Sequence, residues 1–436
     1  MNKHTALRAT VIAAALVAST AWATDGYFPH GYGIKAKGMG GVSIAMTDQA
    51  FAGANNPATA SFAGNRAEAG VELFMPKRGV SRTDSPFGMM DGDVESDSKK
   101  FWVPEFGYTT PINDKVAVGL TVYGNGGMNT DYKAGNIMCA TPTNPPQAYA
   151  ANMLCGTTRL GIDMMQLIVA PTVSYKLDDR HAIGLSPLLV YQRFKAEGLQ
   201  AFDGNPNLVT QPSAGKTTNN GYDSSTGLGV RVGYVGRPND VVTWGATWSP
   251  KTSMKKFDKY SQLFAGAGGF DIPENWGLGL AVKASPTLTV AADFQRINYS
   301  KVASVGNPST NLAQLGASNG PGFGWSDVNV LKLGVQWQAS SQWTLRAGYN
   351  KTDNPIQSRD VTFNIIAPGV ITKHYTLGGT YALGKDTELS FSYMYAPKNS
   401  VTGSSLLGMM NNPALSFQET IRMSQQSLGV QYGWKF

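Results

Sequence analysis

The sequence predicts an all-β fold, a transmembrane antiparallel β-barrel of about fourteen strands. Three observations predict it. Segments of about ten residues alternate apolar and polar side chains through most of the chain. The connections between these segments alternate between short turns and long loops, as in outer-membrane barrels. Beyond the N-terminal region, the sequence has no run of about eighteen apolar residues that could form a transmembrane helix.

The composition excludes two classes of protein. Of the 436 residues, 15% are charged and 10% are aromatic, which argues against intrinsic disorder. The formal net charge of +7 is small and scattered, so the sequence predicts no nucleic-acid binding.

Residues 1–23 have the pattern of a signal peptide. A basic start, MNKHTALR, precedes an apolar stretch that is too short to span a bilayer. The small-x-small site at Ala21, Trp22 and Ala23 predicts cleavage after Ala23. We therefore expect an exported protein whose mature chain begins at Thr24.

Residues 24–65 do not alternate. They are rich in glycine, and a short helix is predicted at 42–47. The segment is too irregular for a strand and too long for a terminal stub. We expect it to lie inside the barrel as a hatch, or plug, which leaves residues 66–436 as the transmembrane barrel.

The barrel segments have one apolar and one polar face. In TLTVAADFQRINY, Leu288, Val290 and Phe294 share the apolar face, while Asp293 lies opposite. The apolar faces are predicted to contact lipid and the polar faces to line the lumen. One segment, DVNVLKLGVQW, changes phase between Val330 and Leu331, which predicts a β-bulge there.

The last segment, SLGVQYGWKF, alternates to its terminal aromatic residue. It is predicted to pair with the first strand, because an open edge cannot remain in the membrane. Tyr432, Trp434 and Phe436 would then lie in an interfacial aromatic girdle. A terminal aromatic also resembles the signal that barrel-insertion machinery reads.

The long connections are predicted to lie on one side of the membrane. They run over 81–100, 126–162, 195–223, 251–271, 300–325, 353–370 and 398–422. A β-sandwich or a β-propeller would not explain the alternation of turn lengths. Cys139 and Cys155 lie in one such loop and are expected to form a disulfide. No histidine lies near them, so no metal site is predicted.

The stretch GYGIKAKGMGGVSIAMTDQAFAGANNPA resembles the N-terminal hatch of the FadL family, transporters of long-chain fatty acids and other hydrophobic compounds. The shared features are Gly38-Met39-Gly40-Gly41, Ala45, Asp48 and the motif Asn56, Pro57, Ala58. The resemblance extends over the mature chain, with Pro273 and Gly277 in the expected places.

The resemblance implies a monomeric barrel in the bacterial outer membrane, in contact with its lipids. The long loops would be extracellular, and the short turns and the C-terminus periplasmic. No cofactor and no energy-coupling motif are expected. A hydrophobic small molecule would enter an apolar groove among the loops, pass a pocket closed by the hatch, and leave sideways through the wall at a kinked third strand.

The third-strand sequence VYGNGG supplies the candidate kink. Gly124, Asn125, Gly126 and Gly127 can break strand pairing and allow a bend. The alternative is that this cluster is a flexible exit into the following loop.

The loop at 251–271 is unusually apolar for a solvated loop. The candidate capture residues are Phe257, Tyr260, Leu263, Phe264 and Phe270 in this loop, with Phe202 in the loop at 195–223 as a partner. Several of them have helical spacing, and exposed apolar patches often mark binding surfaces. The alternative is that they pack against neighbouring loops, and both interpretations can hold together.

Three lumen-facing cations are candidates for binding a carboxylate: Arg231, Lys332 and Arg346. The alternative for each is an ion pair within the lumen, where the wall carboxylates of Glu68, Glu72, Glu105 and Glu388 are also expected to pair with the hatch. A neutral hydrocarbon would need no cation.

The alternative functions are an enzyme, a channel for another hydrophobic substrate and a porin. His30, His181 and His374 are the histidines of the mature chain, and none has a suitable serine and acid, so the protein is not predicted to be an enzyme. The remaining alternatives are an aromatic-hydrocarbon channel of the same family and an open porin for polar solutes.

Overall fold

The computed structural model describes residues 25–140, 145, 147–203, 215–411 and 417–436, with the side chains of 409–411 excepted. The predicted signal peptide, residues 1–23, lies outside the described residues. In chain order the strands are β1 (Arg66–Thr83), β2 (Gly92–Glu95), β3 (Phe101–Pro111), β4 (Val116–Asn129), β5 (Ile137–Ala140), β6 (Ala148–Ala151), β7 (Gly161–Lys176), β8 (His181–Glu197), β9 (Asp223–Gly236), β10 (Val242–Ser249), β11 (Asn275–Ser285), β12 (Leu288–Ile297), β13 (Val328–Gln338), β14 (Trp343–Thr352), β15 (Lys373–Ala382), β16 (Thr387–Ser404) and β17 (Gln418–Lys435).

Fourteen of these strands form one closed antiparallel ring, which confirms the predicted fold class. The ring closes because β1 pairs with β17 over its whole length, from Arg66 opposite Lys435 to Thr83 opposite Gln418. Closure pairs the first strand with the last, so neither of them is left as a free edge in the membrane. Strand β2 extends the sheet beside β1, and β5 and β6 form a separate hairpin.

The helices are short, and they occur in the N-terminal segment inside the ring and in the connections between strands. They are Ile34–Lys37, Ala60–Ala63, Ala265–Gly268, Ala303–Gly306 and Leu406–Asn411, with 3₁₀ turns at Pro57–Thr59, Pro86–Gly88, Asp258–Tyr260, Tyr299–Lys301, Ser358–Asp360 and Phe363–Ile365. Among the described residues, no helix is long and apolar enough to cross a membrane.

The two faces of the strands follow the predicted alternation. On β17, Leu428 and Val430 are exposed on the outer face, while Gly429 and Gln431 are buried on the inner face. The predicted bulge between Val330 and Leu331 is wrong, because β13 pairs with both neighbours without a shift in register. Val330 points inward and is fully buried, since the loop end of the lumen is apolar there.

Short turns join the strands at one end of the barrel, and longer connections join them at the other. The connection predicted at 398–422 is shorter than expected, because β16 and β17 continue to Ser404 and from Gln418. Other loops are tied to one another: Arg159 donates hydrogen bonds to Asp97 and Asp131, each at 2.6 Å. The hydrogen bond from Arg159 lowers the pKa of the Asp97 carboxyl.

Residues 25–65 lie within the ring and contact its wall on many sides. The helix Ile34–Lys37 packs on β15, β16 and β17, while the turn Pro57–Thr59 packs on β7, β8 and β9. The helix predicted at 42–47 is wrong. Ser43 and Ile44 instead donate their backbone N–H groups to Asp293 of β12, at 2.7 and 3.0 Å, and these bonds hold a turn.

Candidate functional site

An apolar cleft lies among the connections at the loop end of the barrel. The cavity itself is only about 40 Å³, far smaller than a typical small-molecule pocket, so the surrounding side chains nearly fill the cleft. Elements distant in sequence line it, among them β7, β8 and the connections that follow β10, β12 and β14. The lining includes Ile162, Phe194, Leu263, Phe264, Phe323, Phe363 and Ile366.

The predicted capture residues cluster around this cleft. Leu263 and Phe264 line it directly. Phe257, Tyr260 and Phe270 are fully buried behind it. The aromatic contacts are Phe194–Phe264 at 4.6 Å, Phe194–Tyr260 at 4.8 Å, Phe264–Phe270 at 5.0 Å and Phe202–Phe363 at 6.2 Å between ring centroids. The helical spacing of these residues does not correspond to a single helix. The loop folds instead as a 3₁₀ turn, Asp258–Tyr260, and a kinked turn, Ala265–Gly268.

The aromatic cluster continues from the loops to the N-terminal segment. The ring of Tyr27 lies 5.9 Å from that of Phe270 and 5.3 Å from that of Tyr299. Tyr299 in turn meets Trp325 edge to face at 5.2 Å. Sequence reasoning did not identify Tyr27, Tyr299 or Trp325. The one available signal was the aromatic content of the stretch GYFPHGY.

The barrel wall is interrupted beside Tyr27. Strand β4 shifts register against β7 between Gly124 and Gly126, with Asn125 as the extra residue. Strands β3 and β4 pair only as far as Phe106 opposite Val122. Residues 101–105 of β3 therefore pair with β1 but not with β4. The wall lacks backbone pairing between β3 and β4 in its loop-end half.

Tyr27 lies against this interruption. The backbone N–H of Gly127 donates to the Tyr27 carbonyl at 3.4 Å. A Cβ atom on Gly126 would lie only 2.2 Å from the same oxygen, so this approach requires glycine. Asn125 is held on both sides, because its amide donates to Gln166 and its side-chain oxygen accepts from Tyr32, both at 3.0 Å.

The Asn56-Pro57-Ala58 motif fixes a turn against the wall. The Asn56 side-chain oxygen accepts from the Ala58 N–H at 3.1 Å, which caps the 3₁₀ turn. Its amide donates to the carbonyls of Ile44 and Tyr234, at 2.9 and 3.0 Å. The motif thus joins two parts of the N-terminal segment to β9.

Two lysines of the N-terminal segment are bound to wall glutamates. Lys37 pairs with Glu72 at 2.8 Å and with Glu105 at 2.9 Å, and all three side chains are buried. Lys35 pairs with Glu68 at 2.7 Å and also with Glu388. The pairing partners of these wall carboxylates could not be chosen from sequence, because strand parity gives the face but not the residue opposite.

The three candidate cations differ in their contacts. Arg231 donates to the carbonyls of Gly53 and Ala54. Arg346 donates to Gln336 at 2.8 Å and Thr380 at 2.6 Å, with Asp48 at 3.8 Å. Both guanidinium groups are therefore bound within the protein.

Lys332 differs from the two arginines. It is 6% exposed and makes no direct hydrogen bond or ion pair among the described residues, but its charge attracts the buried carboxylates of Asp25 and Asp293. Asp293 lies opposite it in the strand register, but one Asp293 oxygen already accepts the N–H groups of Ser43 and Ile44. Lys332 is thus the candidate cation whose donors are available to a ligand.

Two buried histidines stack near Lys332. The rings of His30 and His374 lie 5.6 Å apart and 16° from parallel. His374 Nδ1 contacts Asn350 Oδ1 at 3.1 Å, and Asn350 donates to Asp25 at 3.3 Å. None of the described histidines hydrogen-bonds to a serine, so this part of the chain contains no serine–histidine pair.

The sequence is similar to a known protein family. The profile of the family described as outer membrane protein transport protein (OMPP1/FadL/TodX) matches residues 14–436. The chain belongs to this family. The OMPP1/FadL/TodX family is a family of outer-membrane transport proteins, and the closed fourteen-strand barrel agrees with that membership.

Relatives within the OMPP1/FadL/TodX family cover most of the chain. The long-chain fatty acid transport protein of Escherichia coli O157:H7 is 24% identical over 434 residues, which covers 89% of this chain and 91% of the relative. The protein of the same name from Salmonella typhi is 24% identical over 424 residues, with the same coverage of both chains.

Solved structures of similar fold include a toluene transporter and a FadL homologue. The Pseudomonas putida toluene transporter TodX superposes with a TM-score of 0.67 at 19% identity, covering 93% of this chain and 99% of that one. A FadL homologue from Pseudomonas aeruginosa superposes with a TM-score of 0.64 at 15% identity, covering 94% and 99%. At these identities the likeness establishes the fold alone.

Proposed function

We propose that the chain is an outer-membrane channel for passive uptake of long-chain fatty acids or other hydrophobic small molecules. One observation carries the proposal: buried aromatic side chains run without interruption from the loop cleft to Tyr27, where β3 and β4 are unpaired. Such a column offers a hydrophobic molecule a path out of water. The names of similar proteins, a long-chain fatty acid transport protein and a toluene transporter, support the same class of substrate.

The proposed route has three steps. The substrate is captured in the cleft lined by Leu263 and Phe264, and it then displaces the aromatic contacts around Tyr27. Movement of the N-terminal segment as a hatch opens the gap beside Gly126, and the substrate leaves sideways between β3 and β4. The long loops lie outside the cell and the short turns face the periplasm. Because diffusion is downhill, the route needs no cofactor and no energy source.

Lys332 favours a substrate with a carboxylate. Its ammonium group is almost excluded from solvent and makes no direct hydrogen bond among the described residues, so its N–H groups are free to bind an anionic head group in competition with the nearby carboxylates of Asp25 and Asp293. Arg231 and Arg346 serve instead to hold the N-terminal segment and the wall. The aromatic lining of the cleft favours the second candidate, an aromatic hydrocarbon, which would leave Lys332 without a role in binding.

Competitive binding separates these two substrates. Oleate and toluene are titrated against a fluorescent fatty acid bound to the purified protein in detergent. For a fatty-acid channel, oleate displaces the probe, and Lys332→Gln weakens oleate about tenfold, because a hydrogen bond to a charged group contributes about 1.5–3 kcal/mol. The matched control is Lys283→Gln, an exposed lysine at the turn end of β11.

Two other outcomes have distinct meanings. Displacement by toluene alone, or an oleate affinity that is the same in the wild type and in Lys332→Gln, indicates a hydrocarbon channel. If neither compound displaces the probe, a porin for polar solutes is favoured, and it would show a steady, large conductance in planar bilayers.

A further inference from the structure

Four lysines form a row on the outer face of the barrel, at its loop end. They are Lys77 on β1, Lys351 on β14, Lys373 on β15 and Lys398 on β16, and all four are exposed. Lys351 lies directly opposite Lys373 in the strand register. The register shift in β16 sets Pro397 and Lys398 against Ser424 of β17, and Ser424 lies opposite Lys77. The row crosses five neighbouring strands, a width of about 19 Å at normal strand spacing.

The row lies at the border of the lipid-facing surface. Two residues closer to the barrel centre on the same face are Tyr349 and Tyr375, which are cross-strand partners with ring centroids 5.3 Å apart. Tyr395 of β16 lies opposite Tyr375 in the same register. Outward tyrosines of this kind lie at head-group depth in outer-membrane barrels. The lysine ammonium groups therefore reach the head-group layer just beyond them.

These lysines lack the partners that comparable cations have. Among the described residues, none of the four has a hydrogen-bonding or ion-pair partner for its ammonium group. Three other outward-facing cations on strands or at strand ends here are paired: Arg193 with Asp163 at 3.9 Å, Lys195 with Glu197 at 3.1 Å and Arg296 with Asp327 at 2.9 Å.

The carboxylates near the row are already bound to other groups. Asp93 and Glu95 line a surface cleft together with Lys398, but Asp93 pairs with Arg422 and Glu95 with Lys99 at 3.2 Å. Asp353 accepts hydrogen bonds from Asn329. Like charges directly opposite each other in a sheet are destabilising, so the Lys351–Lys373 pair needs an external anion.

We propose that this lysine row binds the phosphate groups of an anionic lipid in the membrane leaflet at the loop end of the barrel. Lysine binds phosphate as a point charge, and a row of ammonium groups at head-group depth attracts anionic lipid. A lipid fits better than a free anion, because its acyl chains would pack on the apolar surface below the row, which includes Leu377 and Tyr393. The proposal does not depend on which substrate the channel carries.

Lipid binding is tested on the full-length barrel purified in neutral detergent. Phosphatidylglycerol and phosphatidylcholine are added separately, and native mass spectrometry counts the lipids retained. The triple variant Lys351→Gln, Lys373→Gln, Lys398→Gln is compared with the control variant Lys195→Gln, Arg296→Gln, which removes outward cations from ion pairs elsewhere on the same end. Migration in unheated gels checks that each variant is folded.

The wild type should retain phosphatidylglycerol in preference to phosphatidylcholine. Each lysine removed should weaken retention about fivefold, so the triple variant should lose on the order of a hundredfold, while the control changes little. Added salt should weaken the wild type, because partly exposed charges are screened. Without lipid, Lys373→Gln should raise the melting temperature slightly, since it removes the repulsion from Lys351.

Two results would overturn the proposal. Equal retention of phosphatidylglycerol by the wild type and the folded triple variant would show that the row does not bind lipid. Complete displacement of phosphatidylglycerol by dilute inorganic phosphate would show a site for a free anion instead.

Discussion

Replacing Gly126 by valine is expected to slow the uptake of a hydrophobic substrate while leaving the barrel folded. Gly126 lies in the part of β4 that pairs with β7 but not with β3, and it faces the Tyr27 carbonyl at the proposed exit. A valine side chain would occupy the space between the wall and the N-terminal segment. The substrate would then meet a filled gap where the route leaves the lumen.

The size of the effect follows from the contact distance. A Cβ atom at position 126 would lie 2.2 Å from the Tyr27 oxygen, whereas ordinary contacts begin at 3.4 Å. The two groups must separate by about 1 Å, and overpacking of this kind costs about 1–3 kcal/mol. Uptake should fall only if the valine methyl groups still crowd the exit after the N-terminal segment has moved, and a crowded exit that adds about 1–3 kcal/mol to the barrier slows uptake roughly five- to a hundredfold. Strand pairing in β4 below Val122 is untouched, so the barrel itself should remain stable.

Uptake of radiolabelled oleate is measured in cells that lack their own transporter and produce the variant. Gly384→Ala is the matched control, because a Cβ atom there meets its nearest neighbour at 3.5 Å. Surface exposure and gel migration verify that both variants are inserted. Unchanged or faster uptake by a correctly inserted Gly126→Val protein would refute the lateral exit.

Three further substitutions test how the interior is held. Lys37→Met should leave two buried glutamates unpaired and lower the free energy of unfolding by about 3–5 kcal/mol. The loosened N-terminal segment should raise ion conductance in planar bilayers. An unchanged conductance would mean that this ion cluster does not hold the segment in place. Asn56→Ala should remove the cap and the hydrogen bonds to two carbonyls, which lowers the free energy of unfolding by about 2 kcal/mol or more. A protease should then cleave the N-terminal segment faster. Equal cleavage rates in the variant and the wild type would count against this role of Asn56. Serines in place of Cys139 and Cys155 should destabilise their loop by about 3 kcal/mol and speed its proteolysis without lowering the melting temperature of the barrel; a large drop in that temperature would contradict a purely local disulfide.

The fold was predictable from sequence because a barrel repeats one simple pattern. Alternation with period two assigned Leu428 and Val430 to lipid and Gln431 to the lumen, and the number of alternating segments predicted about fourteen strands. The same reasoning failed at Val330. It assumed that every inward position is polar, whereas the loop end of this lumen is filled by apolar side chains.

The candidate site was predictable only in part. Glycines and aromatic residues that break the alternation were visible, so the Gly124–Gly127 cluster and the loop aromatics could be named. Their partners could not be, because contacts such as Phe194 with Phe264 join residues far apart in the chain. The distinction between bound Arg231 and available Lys332 also depends on which backbone carbonyls fold against each side chain, and no sequence pattern records this.

The most direct test of the central claim is the uptake of radiolabelled oleate and toluene by cells that produce this chain in place of their own transporter. A hydrophobic-compound channel predicts that at least one of the two enters faster than in cells carrying Gly126→Val. If neither enters faster, while a small polar solute does, the protein is an open porin and the proposed route through the loop cleft and the barrel wall is wrong.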